Sequence, residues 1–267
     1  MVRNMLRYMA IMPHGNEAVY PIDEDSKILN ANLKKIGEEL KDVESYVLIT
    51  PHNVRSSEAI AIVIAENLIP WLLFNDVPIP VESEYKTDVE LAREIYLSSK
   101  DKFPVVDVNF ASARGRYSRF PLTWGEMIPL HFLRKKPLVL ISPPREVKRE
   151  VLVEFGKHLG RVLEGSEKEV ALIVSADHGH AHDPKGPYGY AKESKEYDSL
   201  IYRLMQNMDF SRLLELENDF IEKAKPDSYW SLLIAHGVMQ EVKFSKVVHI
   251  SYACPTYYGM LSALFKR

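Results

Sequence analysis

Short apolar runs alternate along the chain with segments of helical periodicity. Seven runs are bounded by Pro, Gly or Asp and predict strands. They are residues 8–12, 45–50, 59–65, 105–110, 137–142, 170–175 and 246–251. Between them, apolar residues recur every three or four positions, as at Leu33, Ile36 and Leu40, which predicts helices. These are residues 28–40, 88–97, 146–163, 198–208, 210–224 and 228–238. The alternation predicts an α/β fold with a mixed, mostly parallel central sheet and helices on both faces.

The chain shows no repeat, low-complexity tract or Gly/Ser-rich linker that would divide it. We therefore expect a single domain over residues 1–267. The segment 1–16 contains a short apolar stretch broken by Arg7 and Pro13, which predicts a first strand rather than a leader peptide. No apolar run approaches the roughly 20 residues that cross a bilayer, so we expect no membrane partner.

Composition narrows the classes of function. The chain has 34 Lys and Arg against 37 Asp and Glu, mixed along its length, for a net charge of −3. Such a distribution lacks the basic stripe that binds a phosphate backbone, and it disfavours nucleic acid as a partner. The one cysteine, Cys254, cannot pair within the chain, which predicts a reducing, cytoplasmic location. A metal site would have to use His and carboxylate ligands.

Histidines cluster just after predicted strands. Five of the nine do so: His14, His52, His178, His180 and His182. The first two stand in Pro-His-Gly and Pro-His-Asn, and the other three follow residues 170–175. Ligands of open α/β sheets gather outside the carboxyl ends of the strands. One such histidine could merely hydrogen-bond in a turn, but the repeated pattern favours a metal site.

Two imidazoles and one carboxylate form the facial triad that suits non-haem Fe(II). The candidate carboxylate is Asp227, with Glu222 and Glu17 as substitutes. Asp227 directly precedes a predicted helix, so it could instead be a helix N-cap. A neighbouring histidine such as His180 could transfer protons.

A second hypothesis uses one loop as a metal site. Asp177, His178, His180 and His182 could bind Zn(II) in a hydrolase, because zinc accepts the same nitrogen and oxygen donors. Other motifs do not indicate nucleotide binding or an α/β-hydrolase. Residues 186–190 lack the Lys-Ser/Thr of a P-loop, and no G-x-S-x-G elbow occurs. The basic loop with Arg114, Arg116 and Arg119 could meet an anionic substrate, although a solvated loop is the default interpretation.

The chain resembles the class III extradiol ring-cleavage dioxygenases, the family of the catalytic (LigB) subunit of protocatechuate 4,5-dioxygenase. The resemblance runs from Pro13-His14-Gly15 to Tyr258-Gly259-Met260. Its most specific part is Ser175-Ala176-Asp177-His178-Gly179-His180, then Gly186-Pro187-Tyr188-Gly189-Tyr190 and Glu196-Tyr197-Asp198. The family typically carries Ser-Gly-Asp-Leu-Ser-His, Gly-Pro-Tyr-Gly-Tyr and Glu-Phe-Asp there. Residues 123–130 resemble its Asp-His-Gly-x-x-x-Pro-Leu, with Trp124 in place of the histidine.

The resemblance implies roles for individual residues. His14 and His52 correspond to iron ligands, Asp227 is the nearest match to a ligand that is normally Glu, and His180 corresponds to the acid/base histidine. Four further residues are expected to contact the substrate. They are His178, where the family usually has Leu, and Trp124, Tyr188 and Tyr190.

The resemblance also implies a function and its partners. The expected function is a non-haem Fe(II)-dependent extradiol dioxygenase that cleaves a catechol-type ring with O2, with Zn(II) as the alternative metal. The chain would form a homo-oligomer or join a small second subunit. The related Memo family shares the fold without established dioxygenase activity, so a metal-binding protein without turnover is a further hypothesis.

Overall fold

Strands and helices alternate from Leu6 to Lys266 in a computed structural model that describes residues 5–71 and 84–267. The strands are β1 Leu6–Met12, β2 Ser45–Ile49, β3 Ile60–Val63, β4 Asn67–Pro70, β5 Tyr85–Lys86, β6 Val105–Val108, β7 Arg119–Leu122, β8 Leu138–Ser142, β9 Val170–Ser175, β10 Lys246–Ala253 and β11 Met260–Lys266. The helices are α1 Glu24–Glu39, α2 Val89–Ser99, α3 Trp124–His131, α4 Arg149–Gly165, α5 Lys192–Asn207, α6 Asn218–Ala224 and α7 Ser228–Glu241. No helix within these two ranges is both long and apolar enough to cross a bilayer.

Eight strands form one mixed sheet in the order β10-β11-β1-β9-β2-β8-β3-β6. Its centre, β1-β9-β2-β8, is parallel throughout. Antiparallel pairs occur only towards the two edges, where β11 pairs with β1 and β10, and β3 pairs with β8. Strands β5, β4 and β7 form a separate small sheet. The architecture confirms the predicted α/β class with a mostly parallel sheet. The single domain over residues 1–267 stays a prediction, because that range includes residues outside 5–71 and 84–267.

The central strands are apolar on both faces because both faces are covered. In β2, Val47 and Ile49 enter one hydrophobic layer, whereas Tyr46 and Leu48 enter the other. Helices α2, α4, α5 and α7 cover the first layer, and α1 and α3 cover the second. This double burial explains why the strands are visible in the sequence as unbroken apolar runs.

Several elements differ from the sequence-based prediction. The periodicity did not indicate β4, β5, β7, β11 or α3. Helix α3 has only 8 residues and contains Pro129, a residue that disfavours helix interiors. Helix α5 begins at Lys192, ahead of the predicted start. The predicted helix over 210–224 is divided into a 3₁₀ turn, Ser211–Glu215, and α6, because Leu216 and Glu217 are extended.

The register brings the carboxyl ends of the parallel strands together. Met12 pairs with Ser175, and Ile49 pairs with both Val174 and Ile141. The segments that leave these strands carry His14, His52 and Asp177. The amide of Ser228 at the start of α7 donates to the Asp177 carbonyl at 3.0 Å. The N-terminus of α7 therefore meets the strand ends at this edge of the sheet.

Helix α7 is held by unusually close contact with α4. A Cβ atom at Gly156 would lie 2.1 Å from the Ile234 carbonyl oxygen, and one at Gly237 would lie 2.0 Å from that of Val153. Only glycine permits this backbone-to-backbone approach. The two glycines thus determine where the start of α7, and with it Asp227, lies.

Candidate metal centre

Three side chains from distant parts of the chain converge at this edge. His14 Nε2 lies 2.9 Å and His52 Nε2 lies 3.0 Å from the same oxygen, Oδ2 of Asp227. The two imidazoles are perpendicular, with ring centroids 4.6 Å apart. Within residues 5–71 and 84–267, these three form the one group of three or more His, Cys, Asp or Glu side chains with ligand atoms close enough to hold a metal. The structure thus brings the three predicted ligands together, and their role as ligands stays a prediction.

His14 is oriented by a hydrogen bond on its far side. Its Nδ1 lies 2.9 Å from Ser175 Oγ. Since the Ser175 hydroxyl donates its own proton to the Gly125 carbonyl, it accepts from Nδ1–H of His14. With Nδ1–H held in this way, Nε2 is the ring atom directed at the centre, and once deprotonated it would offer its lone pair to a metal, as in metal-bound histidines.

Asp227 is fixed with one oxygen directed at the two imidazoles. Its Oδ1 accepts the amide of Asp177 at 3.0 Å, which leaves Oδ2 facing the two imidazoles. Although Asp227 occupies the N-cap position of α7, its side chain makes no capping hydrogen bond. The carboxylate of Asp177 in turn accepts the His14 amide at 3.0 Å. The alternative interpretation of Asp227 as a helix cap therefore does not describe its side chain.

The electrostatics of the centre favour a cation. Burial opposes ionisation of Asp227, but His14 and His52 outweigh it and hold the carboxyl pKa well below its usual value. Burial likewise opposes protonation of His14, yet Asp177 and Asp227 raise its pKa to about 9. Burial raises the pKa of Asp177 to about 6. Two buried carboxyl groups thus face the imidazoles, and positive charge here is stabilised.

His180 stands beside this group with a defined tautomer. Its Nδ1–H donates to the His178 carbonyl at 2.6 Å, so Nε2 carries the lone pair and lies 3.7 Å from Asp227 Oδ2. The ring stacks on Tyr258 at a centroid distance of 5.6 Å, and Tyr188 meets it edge-on at 5.9 Å. The imidazole is therefore placed to exchange a proton with a molecule at the centre.

Two cavities of about 790 Å³ and 330 Å³ open onto the centre. His52, His180 and Tyr188 line both cavities. The smaller one also contacts Trp124, whose ring lies over His52 at a centroid distance of 4.8 Å, together with Tyr257. Trp124 and Tyr188 are thus placed where a bound molecule would touch them.

Two other predicted substrate contacts lie away from the cavities. His178 is completely buried, and its Nδ1 lies 3.0 Å from Ser228 Oγ. Burial lowers its pKa to about 4, so the imidazole is neutral. Tyr190 is 62% exposed and lines neither cavity. The structure therefore does not support a substrate contact by either residue.

The side chains of the loop proposed as a zinc site do not point towards one common position. His182 points away and lies 2.8 Å from Asp198 Oδ2, while His178 faces Ser228. Only Asp177 and His180 of that set adjoin the centre, so the ligand set of the zinc hydrolase hypothesis is not assembled in the described chain. The physical reason is that Ser228 and Asp198 hold the imidazoles of His178 and His182 away from the centre.

The other proposed substitutes and basic groups also lie outside the three-residue group. Glu222 lines the larger cavity, and Glu17 accepts the hydroxyl of Tyr258. Of the basic loop, Arg116 packs over Tyr117, and Arg119 lies 3.7 Å from Glu84. Neither cavity is lined by these arginines.

Helix α3, which the hydrophobic periodicity does not predict, packs against His52. A Cβ at Gly125 would lie 2.6 Å from Thr50 Oγ1 and 2.9 Å from His52 Cβ, so only glycine lets the helix pack directly on His52. Glu126 is buried, which raises its pKa to about 7, and its Oε2 accepts the amide of Thr123 at 2.6 Å. The sequence does contain a signal for the start of this helix, because Thr123-x-x-Glu126 is a capping box.

Fold and site together define a class: an α/β protein with a candidate His-His-carboxylate metal centre at the carboxyl ends of its parallel strands. The sequence model of the family described as the catalytic LigB subunit of aromatic ring-opening dioxygenase matches residues 8–262. The chain belongs to this family, which confirms the resemblance seen in its motifs. Enzymes of the family use a metal.

Two individual relatives have also been found. Protein CA_C1420 of Clostridium acetobutylicum is 24% identical over 246 residues, a match that covers 88% of this chain and 52% of that protein. The chain thus spans about half the length of this relative. The crystal structure of uncharacterized protein JW3007 from Escherichia coli K12 superposes with a TM-score of 0.63 at 14% identity, over 97% of this chain and 99% of that one. This second likeness shows a shared fold.

Proposed function

We propose that this protein is a non-haem Fe(II)-dependent extradiol dioxygenase that opens a catechol-type ring with O2. One observation carries the proposal: His14 and His52, which follow β1 and β2, meet Asp227 at the start of α7, with His180 Nε2 only 3.7 Å from the shared carboxylate oxygen. A metal centre with an adjoining base is what the deprotonation of a chelating diol needs.

The donor set fits a divalent metal. Nε2 of His14, Nε2 of His52 and Oδ2 of Asp227 would hold the ion, and two nitrogens with one carboxylate match the Fe(II) facial triad. Zn(II) accepts the same donors, so it is the second candidate metal. When bound, Fe(II) would lower the pKa of a chelated hydroxyl and offer coordination positions to substrate and dioxygen.

His180 supplies the proton transfer in this proposal. With Nδ1–H held by the His178 carbonyl, Nε2 accepts a proton from a substrate hydroxyl and returns it as the ring opens. Tyr258 stacks on the imidazole and limits its rotation. Asp177, bonded to the His14 amide, and Ser175, bonded to His14 Nδ1, keep the ligand in place while the charge at the centre changes.

The aromatic side chains that line the smaller cavity favour a flat, aromatic substrate. Trp124, Tyr188, Tyr257 and Tyr258 surround the space beside His14 and His52. Aromatic side chains bind rings through stacked and edge-on contacts. We expect the substrate ring to occupy this space with its two hydroxyls towards the centre.

Anaerobic reconstitution tests the function. The protein is loaded with Fe(II) or with Zn(II), and a panel of catechols is added with O2 while oxygen uptake and the yellow ring-opened product are measured. We expect the Fe(II)-loaded protein to consume oxygen and the Zn(II)-loaded protein to consume none. The His14→Ala variant treated with Fe(II) should also consume none. Tight Zn(II) binding without oxygen uptake for any catechol would overturn the proposal, and it would favour a Memo-like metal-binding protein.

The assembly and location of the protein belong to the same proposal. We expect a homo-oligomer or a complex with a small second subunit, in the cytoplasm. Light scattering of the purified chain at several concentrations measures the assembly, and fractionation of cells that produce it measures the location.

A further inference from the structure

A third cavity, of about 830 Å³, lies apart from the metal centre. Within residues 5–71 and 84–267, no residue that lines it also lines either cavity at the centre. Its walls come mainly from helix α5, the loop after β9 and the end of β10. Cys254, the single cysteine of the chain, lies half-buried in one wall. A molecule in this cavity therefore reaches a thiol.

A histidine and an aspartate adjoin this thiol. The Cys254 sulfur is within hydrogen-bonding reach of the His182 imidazole. Nε2 of the same ring lies 2.8 Å from Asp198 Oδ2. Asp198 is buried and also accepts the Tyr252 hydroxyl at 2.9 Å, so its carboxylate is held in place. Thiol, imidazole and carboxylate thus form a connected series built from three separate segments of the chain.

This series has the order found where a cysteine acts as a nucleophile: a thiol, an imidazole, and a group that orients the imidazole. Because Nε2 faces Asp198, Nδ1 is the ring nitrogen left for the sulfur. Burial opposes a charge on His182, but the hydrogen bond to Asp198 outweighs it and raises the pKa of the imidazole to about 9. His182 is therefore positively charged at neutral pH. Cysteines beside a cation are the reactive ones, because the thiolate is the nucleophile.

The composition of the chain limits what this thiol can form. With no second cysteine among the 267 residues, oxidation cannot close a disulfide within the chain. Nor do Cys254, His182 and Asp198 make a metal site, since the described ranges 5–71 and 84–267 contain one group of suitable spacing, and it lies at the metal centre. A small disulfide that enters the cavity, in contrast, can exchange with the thiol.

The charges of the cavity wall favour an acidic molecule. Lys195 and Arg203 line it from helix α5. His182 and Asp198 are paired with each other, so among the described residues the other charged group of the wall is Asp25. Two cations thus stand against one unpaired carboxylate. Such an excess of positive charge raises the local concentration of anions.

We propose that Cys254 is a reactive thiol, activated by His182 and Asp198, that forms a mixed disulfide with a low-molecular-weight disulfide bearing an acidic group. The Cys254 sulfur attacks one sulfur of the small molecule, so that a new S–S bond forms and the old one breaks. The thiol proton passes through the imidazole to the leaving sulfur. The protein thiol is thereby oxidised, and half of the small disulfide is reduced to a free thiol. This site shares no residue with the metal centre, so it does not rest on the proposed function.

Rates of thiol exchange in the folded and the unfolded protein test this site. The purified protein is treated anaerobically at pH 7 with dithiodipropionate, which is anionic, with uncharged hydroxyethyl disulfide and with cationic cystamine. Each reaction is run in buffer and in urea, and the mass of the adduct is followed. Dividing the folded rate by the unfolded rate removes the intrinsic reactivity of the reagent.

We expect one adduct per chain and, for the anionic reagent, a folded rate about 10-fold above the unfolded rate, because only a few per cent of an ordinary thiol is ionised at pH 7. The relative rate should fall from the anionic to the uncharged to the cationic reagent. A cysteine with a purely structural role would instead react more slowly in the folded protein. A folded rate at or below the unfolded rate would overturn the activation of the thiol, and this comparison needs no variant.

Variants assign the effect to individual residues. His182→Gln, shown to be folded by circular dichroism, should react at about the rate of the unfolded chain. The control His131→Gln, exposed at the end of α3, should react as wild type does. Joint replacement Lys195→Gln and Arg203→Gln should abolish the preference for the anionic reagent. A folded His182→Gln protein that reacts like wild type would overturn the role of the imidazole, and equal relative rates for the three reagents would overturn the acidic class.

Discussion

His14 and His180 are both held through Nδ1, but by different groups. The hydroxyl of Ser175 accepts from His14, whereas a main-chain carbonyl accepts from His180. Both rings consequently present Nε2 towards Asp227, at 2.9 Å and 3.7 Å. The shorter distance belongs to a proposed ligand, and the longer one belongs to a proposed base. This difference of position predicts different results when each ring is removed.

Substitution of the two histidines separates the roles. His14→Ala should lose the metal, because one of three ligands is removed. His180→Ala should retain the metal and lose about 10²- to 10⁴-fold in kcat, the usual contribution of a general acid or base. Metal analysis and steady-state kinetics measure the two effects, with His131→Ala, exposed at the end of α3, as the control. Loss of metal from His180→Ala would make His180 a ligand instead.

Ser175 is the residue whose role rests most on its hydrogen bonds. Ser175→Ala removes the acceptor for His14 Nδ1–H and should weaken metal binding by about 10- to 100-fold, as changes around bound histidines do. Competition with a chelator of known affinity measures this. The control is Ser251→Ala, a buried serine whose hydroxyl lies 2.7 Å from that of Ser262 and which makes no hydrogen bond to His14, His52 or Asp227. Equal metal affinity in wild type and Ser175→Ala would contradict the assigned orientation of His14.

At the scale of elements, the contact between α4 and α7 positions Asp227. Gly156→Ala would place a Cβ 2.1 Å from the Ile234 carbonyl oxygen and force the helices apart. We expect a loss of about 1–3 kcal/mol in the free energy of unfolding, as in overpacked cores, together with weaker metal binding. Denaturant unfolding and metal titration measure both.

The matched control lies on the same helix. A Cβ at Gly165, the last residue of α4, would meet no atom within 4 Å, so Gly165→Ala should change neither stability nor metal affinity by much. If Gly156→Ala lost stability but bound metal as wild type does, α7 would not be what places the carboxylate.

Much of this architecture could be predicted from the sequence, because buried parallel strands leave unbroken apolar runs. Short or interrupted elements could not, as β4 and the Pro129-containing α3 show. At the site, His14 and His52 could be predicted because each directly follows an apolar strand. His178 and His180 could not be told apart by position, since only the folded loop turns one towards Ser228 and the other towards Asp227.

Contacts between distant segments were also invisible to sequence analysis. Arg55 and Arg145 lie 90 positions apart, and only the pairing of β2 with β8 brings them to one cavity. The exposed Arg114 loop was the more conspicuous basic cluster in the sequence, yet it lies elsewhere. The basic loop therefore did not indicate the position of the site.

At the scale of the whole molecule, Asp198 links three parts of the fold. It accepts from the Gly179 amide at 2.7 Å and the Tyr252 hydroxyl at 2.9 Å, and His182 Nε2 lies 2.8 Å away. Burial opposes the charge on His182, but the hydrogen bond to Asp198 outweighs it and raises the pKa of the imidazole to about 9. The loop after β9, helix α5 and strand β10 are thereby joined through one carboxylate.

This ion pair predicts how stability depends on pH. Because the pKa of His182 is higher in the folded state, about 9, than in the unfolded chain, about 6.5, the pair stabilises fully below pH 6.5. Its contribution is lost as the pH rises through 9. The difference in free energy of unfolding between wild type and His182→Gln should be about 1–3 kcal/mol at pH 6 and should shrink towards pH 10. A difference independent of pH would contradict the charged pair.

The central claim is that the His14, His52 and Asp227 centre directs ring opening by dioxygen. The most direct measurement is the mass of the product formed from a catechol by the Fe(II)-loaded protein under isotopically labelled O2. We predict that both labelled oxygen atoms enter a ring-opened product, and that the His14→Ala protein forms none. A catechol recovered intact, or oxidised without incorporation of label, would contradict it.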